Sequence, residues 1–358
     1  MKGLPRAGIA RYATLCAVLF TALSACSPPP VLPEMSPQVS GVDALFIGIS
    51  AVDEHIVWLS GVDGLYARTT DGGATWQTGV VPGADSLQFR DVHGVDDRTA
   101  YLLSIGSGDD SRIYKTDDAG QNWTLQFVNA EPAGFLDCMD FWDADSGIAF
   151  SDAVDGQFYL ITTSNGGQRW SRIPPGNLPP ALPGEGSFAA SGTCVQTIGS
   201  QTVVVGTGAG GKARFLRSDD RGATWRIVET PVDHSSPTAG LASVAFSDGR
   251  HGVVAGGDMA SPDARQNNIA VTSDGGETWN LATAPPFSGA IYGIAFAPGT
   301  STPTLVAAGP RGLAVTLDMA HTWTLLDSLN YWTVGFAPNG DGWAAGMGGR
   351  VVRLQFPR

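Results

Sequence analysis

The sequence predicts an all-β fold, a seven-bladed β-propeller, and three observations lead to that prediction. A turn that ends in tryptophan recurs six times, its copies are evenly spaced, and short apolar segments fill the intervals. Successive tryptophans of the turn lie 47, 47, 55, 54 and 44 residues apart, which is the length of a four-stranded propeller blade. No stretch after the N-terminal apolar segment sustains helical periodicity, so a helical fold is disfavoured.

The recurring turn, an Asp box, follows the template Ser/Thr-x-Asp-x-Gly-x-x-Trp. Its aspartate can accept hydrogen bonds from backbone N–H groups of the turn, while its glycine supplies a positive φ. These roles are structural, so we expect the boxes to support folding and not catalysis. Asn165 replaces the aspartate of the third box and Ala320 the glycine of the sixth, and we expect those two turns to be looser or differently bonded. The defining pairs are Asp71 and Trp76, Asp118 and Trp123, Asn165 and Trp170, Asp220 and Trp225, Asp274 and Trp279, and Asp318 and Trp323.

Between the boxes each unit indicates four short strands, and the first strand of each, such as 292–296, is expected to line a central channel. The box tryptophans, Trp225 and Trp279 among them, are expected to be largely buried between blades. The chain ends 35 residues past Trp323, so the seventh blade has only three strands. The N-terminal stretch around 31–42 is predicted to close the ring with the fourth. The predicted blades are about 41–80, 87–128, 135–174, 187–230, 241–283, 290–327 and 330–358.

Residues 1–25 are predicted to be a lipoprotein signal peptide. Three basic residues, Lys2, Arg6 and Arg11, precede a short apolar run over 13–25. That run is too short to cross a bilayer as a helix. A permanent transmembrane anchor is therefore not expected.

Leu23-Ser24-Ala25-Cys26 resembles the bacterial lipobox, and the resemblance implies that Cys26 carries lipid and becomes the new N-terminus. The alternative is a plain secretory signal with a chance cysteine. The proline-rich segment 26–40 is predicted to be a solvated tether. Ser27 resembles the pattern of lipoproteins forwarded to the outer membrane. We therefore expect an exported protein on the periplasmic side of the outer membrane or on the envelope surface.

The charge of the chain excludes several partners. Removal of residues 1–25 takes away three basic and no acidic residues, so the side-chain charge changes from −13 to −16. An acidic body does not attract nucleic acid or anionic lipid, so membrane contact is expected through the lipid anchor only. The sequence has no CxxC, no Cys/His cluster and no HExxH, so we predict no metal and no cofactor.

Two cysteines remain in the predicted propeller. Cys138 stands 32 residues before Trp170, and Cys194 stands 31 before Trp225, which places both in the first strands of adjacent blades. Export to an oxidising compartment favours a disulfide between them. The alternative is a pair of buried free thiols, since cysteine is a common small core residue.

Over nearly all of residues 40–358 the chain resembles the Asp-box, or BNR-repeat, propellers, and among them the photosystem II stability/assembly factor (YCF48-like) family and its exported bacterial relatives. The resemblance rests on the repeated x-Thr-x-Asp-Gly-Gly-x-Thr-Trp unit. It implies a non-catalytic factor that holds a protein client or membrane-protein complex on a propeller face. That family is associated with a basic patch, whereas this predicted propeller is acidic, with Lys115 and Lys212 as its lysines. The identity of the client is open.

Candidate binding residues lie in the loops that join strand four to the next strand one and strand two to strand three. These loops share one face of a propeller, opposite the boxes, and ligands usually use that face. The longest are 174–191 and 256–268, which we expect to contact a ligand. The alternative is that they hold ordinary turn residues with local hydrogen bonds. The candidates are Arg90, Asp137, Asp152, Asp155, Ser191, Lys212, Arg214, Asp258, Tyr292, Arg311, Trp332 and Arg350.

Two other functions remain open beside client binding. Sialidases share Asp boxes, but Arg172-Ile173-Pro174, which mimics part of their FRIP motif, follows a box instead of preceding the first one. A glycosidase needs two carboxylates roughly 5 to 9.5 Å apart, which Asp137, Asp152 and Asp258 could supply. A glycan-binding protein would use Tyr292, Tyr331 and Trp332 as stacking platforms. Oxidoreductase activity has no supporting cofactor motif.

Overall fold

The structure is a computed structural model that describes residues 1, 3–4 and 32–357. The chain divides into two compact units, Met1–Pro30 and Val31–Arg358. The predicted lipid site Cys26 and most of the predicted signal peptide lie outside the described residues. Among the residues described, no helix combines the length and apolar character needed to span a membrane.

The second unit consists of seven four-stranded antiparallel sheets, one for each predicted blade. The first strands of neighbouring blades contact each other around the whole ring, including the last with the first. Blades 1 to 3 comprise β2 (Phe46–Ala51), β3 (Val57–Gly61), β4 (Leu65–Thr69) and β5 (Gln77–Val80); β6 (Gln88–Gly94), β7 (Ala100–Ile105), β8 (Arg112–Thr116) and β9 (Thr124–Val128); and β10 (Leu136–Phe141), β11 (Gly147–Val154), β12 (Gln157–Thr163) and β13 (Ser171–Arg172).

Blades 4 to 7 repeat the same order, and they confirm the predicted propeller. Two short 3-10 turns, Gly108–Asp110 and Pro175–Asn177, interrupt the loops. The strands are β14 (Val195–Ile198), β15 (Thr202–Thr207), β16 (Arg214–Ser218) and β17 (Arg226–Glu229); β18 (Ala239–Phe246), β19 (Gly252–Asp258), β20 (Ile269–Thr272) and β21 (Asn280–Leu281); β22 (Gly293–Phe296), β23 (Leu305–Gly309), β24 (Gly312–Thr316) and β25 (Thr324–Asp327); and β26 (Thr333–Phe336), β27 (Gly342–Ala345) and β28 (Arg350–Gln355), completed by β1 (Glu34–Val39).

The N-terminal strand closes the last blade, as predicted. β1 pairs with β28 as the outermost strand, with Glu34 opposite Gln355. This strand lies inside the segment 26–40 that the sequence indicated as tether, so the propeller begins before residue 41. The proline content misled that assignment, because an outer edge strand tolerates Pro37 while Met35 packs on the core.

The core lies between blades, in apolar clusters that each draw on two neighbouring sheets. Between blades 4 and 5, Phe215 and Trp279 meet edge to face with ring centroids 5.0 Å apart. Trp170 is buried, and Trp225 and Trp279 are partly exposed, but most of each side chain packs on the core, as expected of the box tryptophans.

The Asp boxes share one hydrogen-bond pattern. In the first box, Thr69 Oγ1 accepts the N–H of Gly73 at 2.9 Å and donates to Asp71 at 2.8 Å. Asp71 in turn accepts the N–H and the hydroxyl of Thr75, at 2.9 and 2.6 Å. The Ser/Thr of the template therefore bonds as many groups as the aspartate does.

The sequence predicts that the two atypical turns are looser or differently bonded, and the structure shows one hydrogen bond fewer in the third box and the complete pattern in the sixth. Asn165 accepts the N–H of Arg169 at 3.0 Å and lacks only the hydroxyl bond, because residue 169 is not a threonine. Ala320 takes the left-handed conformation that glycine has elsewhere, with φ 62°, and its N–H still donates to Thr316 Oγ1 at 3.0 Å.

Candidate functional site

The central channel contains a cavity of about 900 Å³. Its walls are the second halves of the first strands and the loops that join first to second strands, so its mouth lies on the face that carries those loops and the Asp boxes. We call this the box face and the other the opposite face. The lining segments are 49–51, 91–93, 139–140, 192–193, 195–196, 244–248, 294–304 and 334–336, with His251 and Met319.

The channel is closed toward the opposite face by residues 185–193, which we call the plug segment. Arg90 donates a hydrogen bond to the carbonyl of Ala189 at 2.9 Å. Ser191 Oγ donates to the carbonyl of Tyr292 at 2.7 Å, and Thr333 Oγ1 donates to the carbonyl of Ser191 at 3.4 Å. These bonds tie the plug to the second, sixth and seventh blades, which lie on different sides of the ring.

The inner side of the plug is equally well bonded. The hydroxyls of Thr193 and Ser243 are 2.6 Å apart, and Ser243 Oγ accepts the N–H of Ile294 at 3.0 Å. Gly192, at φ 75°, packs so closely on Asp91 that a Cβ would overlap its carboxyl group. Asp91 accepts the N–H of Met139 at 2.7 Å, and burial raises the pKa of Asp91 well above its usual range. The plug thus forms the floor of the cavity.

Four predicted site residues converge at the plug. Arg90 lies 5.2 Å from the ring of Trp332, and Tyr292 meets that ring edge to face at 4.9 Å. Burial lowers the pKa of Arg90 and raises the pKa of Tyr292. Because Arg90, Ser191 and the backbone of Tyr292 bond the plug, their convergence closes this end of the channel. The open mouth lies on the other face, contrary to the expectation from the sequence.

Asp137 and Asp152 also meet beneath the plug, with their carboxyl groups hydrogen-bonded to each other. Asp137 is fully buried, and Asp152 accepts the N–H of Ser187 at 3.1 Å. Burial raises the pKa of Asp137 well above its usual range and raises that of Asp152 to about 6. Two carboxyls in direct contact share a proton, and they lack the 5 to 9.5 Å separation that glycoside hydrolysis requires.

Other predicted residues do not join this group. Asp155 occupies a tight turn at φ 53°, and Asp258 accepts the N–H of Ala260 at 3.0 Å within its own loop. Arg311 is exposed and lies 3.6 Å from Asp263. These three residues are therefore ordinary turn residues with local contacts, which was the alternative stated for the candidates.

The remaining candidates have local partners as well. Lys212 pairs with Glu229 at 2.9 Å, and Arg350 donates to the carbonyl of Asn330 at 2.8 Å. Tyr331 is buried, with its hydroxyl donating to a carboxylate, so it is not an exposed stacking platform.

Sequence reasoning missed Glu185, which anchors the start of the plug. Its side chain is fully buried, and it accepts hydrogen bonds from Arg214 Nε at 2.8 Å, from Arg214 Nη2 and from Thr207 Oγ1 at 2.6 Å. An acidic residue within a proline- and glycine-rich loop was the available signal. Arg214, a predicted ligand contact, serves this ion pair instead.

Sequence reasoning also missed the polar pair on the cavity wall. His93 Nδ1 lies 3.3 Å from Asp140 Oδ1, and both side chains are 24% exposed. Asp140 Oδ2 accepts the N–H of Thr197 at 2.7 Å. Strand alternation would have placed both residues on the channel side, but they belong to strands and not to loops. Across the described part of the chain, no three His, Cys, Asp or Glu side chains are grouped as a metal site.

The turns of the box face are rich in acidic residues, and hydrogen bonds lower the pKa of some of them. The hydroxyl and N–H of Thr75 lower the pKa of Asp71 to about 2. Burial raises the pKa of Asp248, but bonds from His251 and Arg250 outweigh it and bring the value to about 2. The acidic residues are Asp53, Glu54, Asp71, Asp96, Asp97, Asp117, Asp118, Asp143, Asp145, Asp219, Asp220, Asp248, Asp274, Glu277, Asp318 and Asp341, and the basic ones are Arg98, Arg169, Arg221 and Arg250.

Solved structures with the same architecture exist. No protein-family model and no curated protein matches the chain. A structure of YCF48 bound to D1 peptide is 17% identical, with 91% of this chain and 97% of that one covered and a TM-score of 0.63. YCF48 from Cyanidioschyzon merolae is 15% identical, with coverages of 90% and 98% and a TM-score of 0.63. This chain shares their seven-bladed fold.

A hydrolase has the same architecture. The GH74 xyloglucanase from Xanthomonas campestris is 13% identical, with a TM-score of 0.59. The match covers 89% of this chain and 53% of the xyloglucanase. At such identities the similarity concerns the fold alone.

Proposed function

We propose that this chain is a non-catalytic, exported lipoprotein that binds a protein client through the cavity on the box face. The observation that carries the proposal is a pocket open at one end and sealed at the other by the chain's own plug. A volume of about 900 Å³ lies within the range of known ligand sites, roughly 300 to 1,000 Å³. The related fold of YCF48 bound to D1 peptide supports a peptide segment as the occupant.

The candidate carboxyl groups have structural hydrogen-bond partners, which supports a binding role over a catalytic one. Asp137 and Asp152 bond each other beneath the plug, and Asp258 holds its own turn. Each therefore has a structural partner and lies away from the open pocket. The wall carboxyl Asp140 is likewise held by Thr197.

Export and anchoring are supported by the signal-peptide pattern and the lipobox. The disulfide between Cys138 and Cys194, with Cα atoms 6.0 Å apart, suits an oxidising compartment. β28 runs from the opposite face to the box face, so β1, which starts at Glu34 opposite Gln355, begins at the box face. Cys26 and Glu34 are eight positions apart in the sequence, and this length of chain spans at most about 28 Å. A lipid on Cys26 would hold the box face near the membrane, which favours a membrane-protein client.

Site-specific photocrosslinking in cells tests client binding. We expect a photoreactive residue at Ser301, on the rim of the cavity, to capture a membrane protein. The same residue at the exposed Ser235, on the opposite face, serves as the matched control and should capture none. Absence of any protein adduct from Ser301 would contradict the proposal. For the anchor, Cys26→Ser should move the chain from the membrane to the soluble fraction.

The second candidate is glycan binding or glycoside hydrolysis, which the fold of the GH74 xyloglucanase favours. We would assay aryl glycosides and xyloglucan oligosaccharides with the purified chain. Turnover of either substrate by the purified chain would replace client binding as the assigned function.

A further inference from the structure

We infer that the cavity takes a cationic, extended peptide segment whose lysine or arginine side chains enter from the box face. This inference rests on the proposed client-binding function and names the chemistry of the client. It depends on the charges that line the cavity, on its aromatic walls and on a fixed rim carboxylate.

The described lining of the cavity contains no lysine or arginine, and it includes the carboxyl groups of Asp140 and Asp248. Asp91 also lines the cavity, but burial raises its pKa well above the usual range, so it is not one of the negative groups. The other titratable side chains that line it are His93 and His251. A cavity with negative walls in a low-dielectric ring concentrates cations and repels anions.

The rim charge is held in place by the fold. Asp248 is half-exposed at the mouth, and its carboxylate accepts the N–H of Arg250 at 2.6 Å and that of His251 at 2.7 Å. Other carboxylates of this face pair with arginines: Asp143 with Arg221 at 3.1 Å, Asp219 with Arg226 at 3.2 Å and Asp341 with Arg353 at 2.6 Å. Asp248 is therefore a fixed rim carboxylate that faces solvent.

The apolar part of the wall favours lysine and arginine over a bare metal ion. Phe296 and Phe336 are half-buried in the lining, next to Ile49 and Ile294. Long basic side chains bury their methylene stems against such surfaces while the charged end reaches a carboxylate. An aromatic ring within about 6 Å adds a cation–π attraction.

Labelled peptides measure this preference. We would titrate the full mature lipoprotein, in non-ionic detergent, against ten-residue Gly/Ser peptides carrying three lysines, three glutamines or three glutamates. We expect the lysine peptide to bind at least about 10-fold more tightly than the glutamine peptide and the glutamate peptide not to bind. Raising the salt from 50 to 300 mM should weaken lysine-peptide binding about 10-fold.

Two aspartates of the fifth blade supply a matched pair of variants. Asp248 and Asp258 each cap a turn through backbone N–H groups, but they lie on opposite faces. Asp248→Asn should weaken lysine-peptide binding about 3-fold to 5-fold, as expected for one partly exposed charge pair. Asp258→Asn, with the same change of charge, should leave it unchanged. Asparagine also caps such turns, so both variants should fold.

Location is tested by crosslinking a bromoacetyl-lysine peptide to single-cysteine variants. Ser301→Cys should react and Ser235→Cys should not. Equal binding of the three peptides, equal effects of the two aspartate variants, or reaction only at residue 235 would overturn the inference. If a membrane client is captured but its binding depends neither on salt nor on Asp248, the inference of a cationic segment fails while the proposed client binding stands. Lysine-peptide binding without any cellular client would leave the charge preference intact and refute the proposed function.

Discussion

The two ends of the channel use the same kinds of polar residue in opposite ways. At the opposite face, Glu185 and Asp137 are buried, and the partly buried Arg90 and Asp152 hydrogen-bond the chain's own plug. At the box face, Asp248 is bonded, among the described residues, only to Arg250 and His251 of its own turn and remains exposed. A convergence of charged and aromatic groups therefore marks a binding surface only where the chain does not supply the partners itself.

The largest expected contrast between the two ends concerns their ion pairs. Arg214→Met leaves Glu185 buried without its partner and should lower the free energy of unfolding by about 3 to 5 kcal/mol. The matched change at the box face, Arg221→Met, breaks a pair whose side chains are 36% and 47% exposed and should cost less than about 1 kcal/mol. Guanidinium titration of both variants measures the difference, and equal losses would contradict the comparison.

The disulfide should give the next largest effect, because it joins β10 to the residue that precedes β14, beside the plug. Cys138 adjoins Asp137, and Cys194 follows the plug segment, across a sequence separation of 56 residues. Replacing both cysteines by alanine should lower the free energy of unfolding by about 2 to 4 kcal/mol. Thiol titration of the unfolded, unreduced protein should find neither sulfur free, and two free thiols would contradict the pairing.

The two ends should also respond to pH in opposite directions. The pKa of Asp152 is raised to about 6, so from pH 4 to 6 the folded state keeps a proton that the unfolded chain has released. The contribution of Asp152 to the free energy of unfolding therefore falls as the pH rises from 4 to 6. The pKa of Asp71 is lowered to about 2, so stability from the box falls as pH drops from about 4 to 2.

Asp152→Asn tests the first of these two dependences. The variant should match the wild type near pH 4 and gain about 2 kcal/mol in free energy of unfolding at pH 8, because it no longer carries the buried charge. Urea titrations at pH 4, 6 and 8 measure this. Parallel pH profiles for wild type and variant would show that the carboxyl pair does not titrate as stated.

The sequence predicted the ring and its closure because the Asp box recurs with strict local chemistry. It did not predict which mouth is open, since the bonds of Ser191 to Tyr292 and Thr333 cross 101 and 142 residues of chain. It also misjudged Ala320, because a left-handed alanine is held by the surrounding turn and not by its own preference. His93 and Asp140 escaped notice because they belong to the first strands of neighbouring blades, and the packing of those blades brings them together.

The smallest expected effect lies within the boxes and separates the first box from the third. In the first, Thr75 Oγ1 donates to Asp71 at 2.6 Å, and this hydroxyl is the largest cause of the lowered pKa of that aspartate. Thr75→Ala should therefore raise the pKa of Asp71 from about 2 toward 3.8 and lower the free energy of unfolding by about 0.5 to 1 kcal/mol. An NMR pH titration of the carboxyl group and a urea titration measure both quantities.

Arg169 occupies the equivalent position in the third box, where its N–H, and not its side chain, bonds Asn165. Arg169→Ala keeps that N–H and should change the free energy of unfolding by less than about 0.5 kcal/mol. Because the box backbone is bonded alike in both turns, the difference between the two variants isolates the hydroxyl bond. If Thr75→Ala leaves the pKa of Asp71 near 2, the backbone N–H groups and Thr69 suffice to keep the box aspartates ionised, and the acidity of the box face does not depend on this hydroxyl.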